Sequence, residues 1–360
     1  MRLTAPEVRV FKIPTDAPES DGTLEWDSTT LVLVEIGAGA QRGIGYTYAD
    51  KSAGEVIRDT LADIVEGRDA MDIAGAWWAM LVAVRNIGRP GIAAMAISAV
   101  DNALWDLKAK LLELPLVKLL GAVRESVPAY GSGGFTSYDA TRLGEQLADW
   151  VGEGCSMVKM KVGRAPSQDP ARVRQARAAI GDQPQLFVDA NGAYAGKQAM
   201  HLAQEFSMCG VTWFEEPVSS DDLAGLRRVR EHVPAGMDVT AGEYGFDGTY
   251  FRRMLEAGAV DVLQVDATRC GGITGYLRAA ALCDAFHVPL SAHCAPALHM
   301  HVGCATHATR HVEYFHDHVR IERMLFDGAP EAMNGVLRPD LSRTGMGISL
   351  KQSDAREYAV

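Results

Sequence analysis

The chain has 360 residues, 48% of them apolar and 22% charged, with a net charge of −11 and a pI near 5.4. This is the composition of an ordinary globular protein, neither disordered nor fibrous, and the length suits one large domain plus a smaller one. The acidic balance excludes a broad electrostatic footprint for nucleic acid or anionic membrane, so an anionic substrate must be held by local cations.

The first 50 residues read as a β meander. Val8–Ile13, Thr30–Ile36 and Gly43–Tyr48 are rich in β-branched and aromatic residues, and the polar segment Pro14–Asp27 between the first two is expected to be a loop, a candidate mobile flap. Met1–Pro6 lacks the apolar stretch of a signal peptide, and we expect a cytoplasmic protein. From Ser52 to Leu120 the period becomes helical. Ala93, Ala96, Ile97, Val100, Ala103, Leu104, Leu107 and Leu111 recur three and four apart, and apolar residues off that stripe predict a deeply buried helix. Asp101 and Asp106 within it argue against a membrane span.

From Val127 short apolar strands alternate with helical runs. The strands are expected at Val127–Gly131, Met157–Val162, Leu186–Asp189, Val211–Glu215, Asp238–Glu243, Asp261–Val265, Val288–His293 and His311–Tyr314. Asp169-Pro170 and Gly181 punctuate one intervening helix, and Ser220-Asp221-Asp222 opens another. Eight repeated βα units imply parallel strands closed into a (β/α)₈ barrel. The expected division is an N-terminal α+β capping domain over 1–126, the barrel over 127–322 and a C-terminal segment over 323–360 that packs back on the cap. The six cysteines show no C-x-x-C spacing and read as reduced core thiols.

Ionisable residues recur at the ends of these strands. They are Lys159 and Lys161, then Asp189 with Asn191, Glu215 with Glu216, Glu243, Asp266, His293 and Glu313, and from Lys161 onward successive units are separated by 20 to 28 residues. In a closed barrel such positions converge on one face, where barrel active sites lie. A lone strand-end carboxylate is ordinarily a helix cap. Three in consecutive units, Asp189, Glu215 and Glu243, would repel one another unless a hard cation joins them, and an oxygen-only set favours Mg²⁺. Glu216 reads as a structural pairing partner beside them. Lys159 and Lys161, two apart on a strand, face the same side. Lys159 is expected to neutralise a carboxylate, and Lys161 to act as a base if desolvation and its neighbour lower its pKa. His293 is a second acid/base, with Asp266 fixing its tautomer, and Glu313 is a hydrogen-bond donor to developing charge. The histidines crowded into 287–318 match no zinc spacing, although His299 and His301 fall near the expected rim.

These residues resemble the enolase superfamily, specifically its mandelate racemase subgroup. The resemblance covers nearly the whole chain and rests on the helix 96–107, Lys159-Met-Lys161, Val188-Asp-Ala-Asn191, Trp213-Phe-Glu-Glu-Pro217, Ala241-Gly-Glu243, Asp266 with Gly271-Gly272, Ser291-Ala-His293 and His311-Val-Glu313. It implies Mg²⁺ held by Asp189, Glu215 and Glu243, Lys161 and the His293–Asp266 dyad as opposed acid/bases, Lys159 as neutraliser, Asn191 against substrate and Glu313 as electrophile. It also implies a small-molecule carboxylate substrate and a homo-oligomer. The expected reaction is dehydration of an acid sugar; racemisation or epimerisation of an α-hydroxy acid and cycloisomerisation of a sugar-acid lactone or anhydro-sugar acid share the same polar set. Specificity is expected from capping loops carrying Trp26, Tyr46 and Tyr48, and Arg89 or Arg164 could meet a distal carboxylate.

Overall fold

A computed structural model describes residues 1–360. Strands β1 (Glu7–Ser20), β2 (Glu25–Ala38) and β3 (Gln41–Tyr48) form an antiparallel meander. Its pleat sends alternate side chains into two different cores. Val32, Val34 and Ile36 pack against the capping helices, whereas Leu31 and Leu33 join the larger core shared with the barrel. Burial on both faces explains why the middle of β2 is an unbroken apolar run.

The segment Pro14–Asp27, expected as a loop, instead lies mostly within the ends of β1 and β2. Glu19 faces Trp26 and Ser20 faces Glu25 across a register shift that follows Pro14. Three of the polar residues that suggested a loop, Glu19, Ser20 and Asp21, are buried where the cap meets the barrel. Ser20 Oγ lies 2.6 Å from Thr136 Oγ1, and Asp21 Oδ1 accepts from the backbone N–H of Thr23 and Leu24 at 2.6 and 2.7 Å, closing the turn. Gly22 sits so tightly on the barrel that a Cβ there would meet Ala190 O at 2.5 Å. Only glycine allows that approach.

The second sheet closes on itself. Strands β4 (Val127–Gly133), β5 (Met157–Lys161), β6 (Gln185–Asp189), β7 (Val211–Glu215), β8 (Asp238–Ala241), β9 (Val262–Val265), β10 (Leu290–Ala292) and β11 (Thr309–Phe315) run parallel in chain order, and β11 pairs with β4. Helices intervene between them, giving a (β/α)₈ barrel. Tyr130, Phe187 and Trp213 fill its interior with a small aromatic cluster, Phe187 stacked on Trp213 at 5.1 Å.

Helix Ile92–Leu111 fastens the cap to the barrel. Its buried polar residues have a structural task. Ser98 Oγ accepts from Gly271 N and Gly272 N, Asn102 Oδ1 from Ile273 N and Asp101 Oδ2 from Thr274 N, so together they satisfy the free N–H groups of barrel helix Gly272–Phe286. Each such bond contributes about 1 kcal/mol, and leaving its partner unpaired would cost more. Past the barrel, Val336–Leu337 pairs antiparallel with β4, and Val360 N donates to Val10 O of β1 at 3.0 Å. No helix is long and apolar enough to cross a membrane, and all six cysteines are free.

Candidate active site

Register places the lysines and carboxylates. Lys161 lies opposite Asp189, and Asp189 opposite Glu215, so three strand ends present these side chains at one level. Glu243 follows β8 by two residues. The turn between them is Gly242, with φ +134°, where a Cβ would meet Gln264 O at 2.2 Å. That position requires glycine, and the turn brings Glu243 to the other carboxylates.

Lys159 is fully buried. Its Nζ donates to both Glu215 oxygens at 2.7 Å and lies 2.7 Å from Glu313 Oε1 and 3.5 Å from Asp189 Oδ2. Lys161 Nζ donates to Asp189 Oδ2 at 2.5 Å and Asn191 Oδ1 at 3.2 Å. Burial opposes charge on both lysines, but the surrounding carboxylates win and hold both pKa values above the ordinary range. This is the reverse of the lowering expected for Lys161, because Asp189 is nearer to it than anything positive. On the carboxylate side, burial and the other anions push Glu215 up, whereas Asp189, desolvated but contacted by both lysines, stays below its usual value.

His293 stands across the barrel. Its Nδ1 is 2.8 Å from Asp266 Oδ2, and Thr268 N donates to Asp266 Oδ1 at 2.6 Å. Burial opposes ionisation of Asp266, but the bond to His293 and the charges around it hold it well below the carboxylate range. An ionised Asp266 takes the Nδ1 proton as its partner and turns Nε2 towards the centre of the barrel, where Cys294 Sγ lies 3.2 Å from it. That Nε2 lies 3.4 Å from Glu243 Oε2 and 3.7 Å from Glu313 Oε2, within reach of the same centre. Glu313 accepts from Ser132 Oγ at 2.6 Å; burial raises its pKa but Lys159 and the other cations lower it further, so it is ionised rather than a hydrogen-bond donor in this arrangement.

A cavity of about 360 Å³ opens above these groups, lined on its floor by Lys161, Asn191, Glu243, His293 and Glu313. Trp26 and Tyr48 line its wall. Trp26 is held by donation from Nε1 to Glu19 Oε2 at 2.7 Å and meets Phe135 edge to face. Tyr46, expected to touch substrate, does not line the cavity. It is wholly buried behind Tyr48, with its hydroxyl donating to Glu322 Oε1 at 2.6 Å. Arg164 lies outside, paired with Glu25, and Arg89 lines a different cavity near Trp77. His299 and His301 are not at the rim. Both are buried, His299 bridging Cys294 O and Ala267 N, and His301 reaching Met346 O. Glu216 forms no ion pair, and its Oε1 is buried without a partner, so the expected pairing is absent. Arg269 was missed. It lines the cavity and reaches Glu243 O at 3.0 Å, and its place three residues after Asp266 could have flagged it. A larger cavity of about 610 Å³ near Arg124 and Arg338 gathers none of these groups.

One oxygen from each of Asp189, Glu215 and Glu243 lies within 4.8 Å of the others. All three residues are buried, and Glu243 Oε2 has no hydrogen-bond partner. Buried like charges with an orphaned carboxylate oxygen fit a hard divalent cation, for which such oxygens are the preferred donors.

Known families match both parts of the chain. Residues 7–121 match the mandelate racemase/muconate lactonizing enzyme N-terminal domain and residues 142–355 the enolase C-terminal domain-like family. The chain is 31% identical to L-talarate/galactarate dehydratase of Salmonella typhimurium, over 87% of this chain and 78% of that protein. A crystal structure of that enzyme liganded with Mg and L-lyxarohydroxamate has a TM-score of 0.91, with 28% identity over 100% of this chain and 93% of the other. D-galactarolactone cycloisomerase of Agrobacterium fabrum is 29% identical over 99% of both chains. A mandelate racemase/muconate lactonizing enzyme-like protein from Rubrobacter xylanophilus superposes with a TM-score of 0.98 at 52% identity, covering all of both chains.

Proposed function

The chain belongs to the mandelate racemase/muconate lactonizing enzyme family of the enolase superfamily, and we propose that it removes the α-proton of an acid sugar and dehydrates it to a 2-keto-3-deoxy acid. The observation that carries this reading is the convergence of two acid/base side chains, Lys161 and His293, on one trio of buried carboxylates at the floor of one cavity. A binding protein has no need of two proton carriers around one charged centre.

Asp189, Glu215 and Glu243 would hold Mg²⁺. Bound there, the ion supplies electrostatic stabilisation of the charge that develops on the substrate carboxylate. The Mg-bound structure of the Salmonella relative supports this choice. Lys159 neutralises the floor from below and keeps Glu313 and Glu215 in place. Sharing Asp189 with a cation would loosen its hold on the Lys161 ammonium and lower that pKa towards a useful base. Lys161 or His293 Nε2 then takes the proton from carbon 2, and the electron pair moves into an enediolate. As this collapses, the carbon 3 hydroxyl departs as water with a proton from the His293 imidazolium, which holds it either from carbon 2 or, where Lys161 is the base, from solvent before the substrate binds, and the enol formed becomes the 2-keto acid. Asp266 orients His293 throughout. Asn191, Trp26 and Arg269 line the space in which the substrate must lie. We propose a division of the chain into 1–126, 127–322 and 323–360, supported by the return of the chain end to β1.

A second reading is cycloisomerisation, favoured by the Agrobacterium relative that matches over the full length. A screen of aldonates, aldarates and their lactones with Mg-loaded enzyme separates the two. Formation of a 2-keto acid with loss of water supports dehydration. An isomer formed without loss of water overturns it in favour of cycloisomerisation or epimerisation.

A further inference from the structure

The rim of the cavity differs in charge from its floor, and it bears on the substrate class of the reaction proposed above. We propose that the substrate is a sugar monoacid, an aldonate, whose end remote from the reacting carboxylate is neutral and hydroxylated, rather than an aldarate with a second carboxylate.

Lys161 and Arg269 are the only lysine and arginine lining the cavity. Both are occupied. Lys161 is bound by Asp189 and Asn191. Arg269 donates to Glu243 O at 3.0 Å, lies 3.7 Å from Glu243 Oε1 and from Asp266 Oδ2, and covers the ring of Tyr244 at 5.4 Å. Both also sit at the floor, where the reacting carboxylate belongs. The remote part of the cavity is lined by Asp21, Asp50, Ser28, Thr30, Trp26 and Tyr48.

The groups behind that wall add no positive charge to it. Buried Glu19 and Asp317 lie beneath it. Arg320 is spent on Pro14 O and Asp317, and Arg142 on Asp16 and Tyr138; neither lines the cavity. His318 lines it, stacked on Tyr48 at 3.4 Å, with Nδ1 facing the backbone N–H of Ala295; burial holds it well below its ordinary pKa and therefore neutral.

A carboxylate placed against Asp21 and Asp50 would meet like charge with no compensating cation. Sugar hydroxyls suit the same wall, because carboxylates accept from them and the Trp26 ring offers an apolar face. The Tyr48 hydroxyl has no hydrogen-bond partner in the protein, so it remains available to one.

This inference rests on the α-proton reading, and the test separates the two. Mg-loaded enzyme is given aldonates and aldarates of matched stereochemistry, with α-proton exchange into D₂O and keto-acid formation both followed by NMR. The expected result is that at least one aldonate exceeds its aldarate by about 100-fold in kcat/KM, the effect of two like charges within a few ångströms of the remote carboxylate. In Asp21→Asn/Asp50→Asn the ratio should fall by roughly tenfold, because Asn keeps both turn bonds and removes only the charges. Calorimetric binding to inactive His293→Asn enzyme should rank the two series in the same order. Aldarates handled as well as or better than aldonates would overturn the monoacid assignment alone. No exchange with either series would overturn the α-proton reading and this inference with it.

Discussion

At the floor of the cavity Lys159 is fully buried among three carboxylates, while at the rim Asp50 is exposed and its side chain accepts only from Ser52. The floor is therefore a place where every charge depends on a neighbour, and removing one leaves others stranded in a medium that solvates them poorly. The rim is wet and adjustable. The contrast separates the proposed chemistry, on and just beyond the ends of barrel strands, from the proposed choice of substrate, on a cap hairpin packed over them.

Changes at the floor should be the most severe. Glu215→Gln removes one oxygen donor and the partner of Lys159, and activity should fall by at least about 10³-fold. Added Mg²⁺ should then no longer raise the melting temperature, as it should for the wild type. A Glu215→Gln enzyme that keeps both responses would show that the carboxylate trio does not hold the cation.

Asp266→Asn leaves the floor charges in place and disturbs only the tautomer of His293. We expect a loss of roughly 10²-fold in kcat, with substrate affinity little changed, because the acceptor of Nδ1–H is weakened and the wrong nitrogen can carry the proton. Separate measurement of kcat and KM checks this.

At the rim the effects should be smaller and of another kind. Trp26→Ala should raise KM by roughly tenfold with a lesser change in kcat, since the residue lines the wall and touches none of the proton carriers. Equal losses in both constants would place Trp26 in the chemistry and erase the distinction drawn above.

The smallest expected effect concerns Glu19 beneath that wall. Burial, then the nearby Asp317, push its carboxyl up to about 8, against which the bond from Trp26 works. The folded protein thus holds this proton where the unfolded chain releases it. The contribution of Glu19 to stability is complete below pH 4.5, falls as pH rises from there to about 8, and is level above. Glu19→Gln should therefore gain in melting temperature relative to the wild type across that window. A difference that is flat with pH would contradict the assignment.

Much of this was legible in the sequence because barrel strands repeat. Asp189, Glu215, Glu243, Asp266 and His293 each sit near the end of a strand in successive units, so spacing alone aligned them. Exact strand ends were not legible: Glu243 and His293 lie beyond β8 and β10, carried there by tight turns rather than by ladder pairing. The cap was harder. Pro14–Asp27 reads as a loop because its side chains are polar, yet Ser20, Asp21 and Glu19 are buried against Thr136, the turn backbone and Trp26. Polar burial at a seam leaves no periodic signal. Tyr46 and Tyr48 share one face of β3, and only the position of the helix His316–Leu325 with Glu322 decides that one is anchored in the core while the other faces the cavity.

In the proposed reaction two proton carriers act on the carbon beside a carboxylate at a cation-dependent floor. The direct test is the fate of that proton in D₂O, followed by NMR for Mg-loaded wild type, EDTA-treated protein, Lys161→Ala and His293→Asn. Exchange or loss of the α-proton is expected in the loaded wild type, none after EDTA, and a fall of at least about 10²-fold in each variant. Exchange that survives EDTA, or that is untouched in both variants, would contradict it.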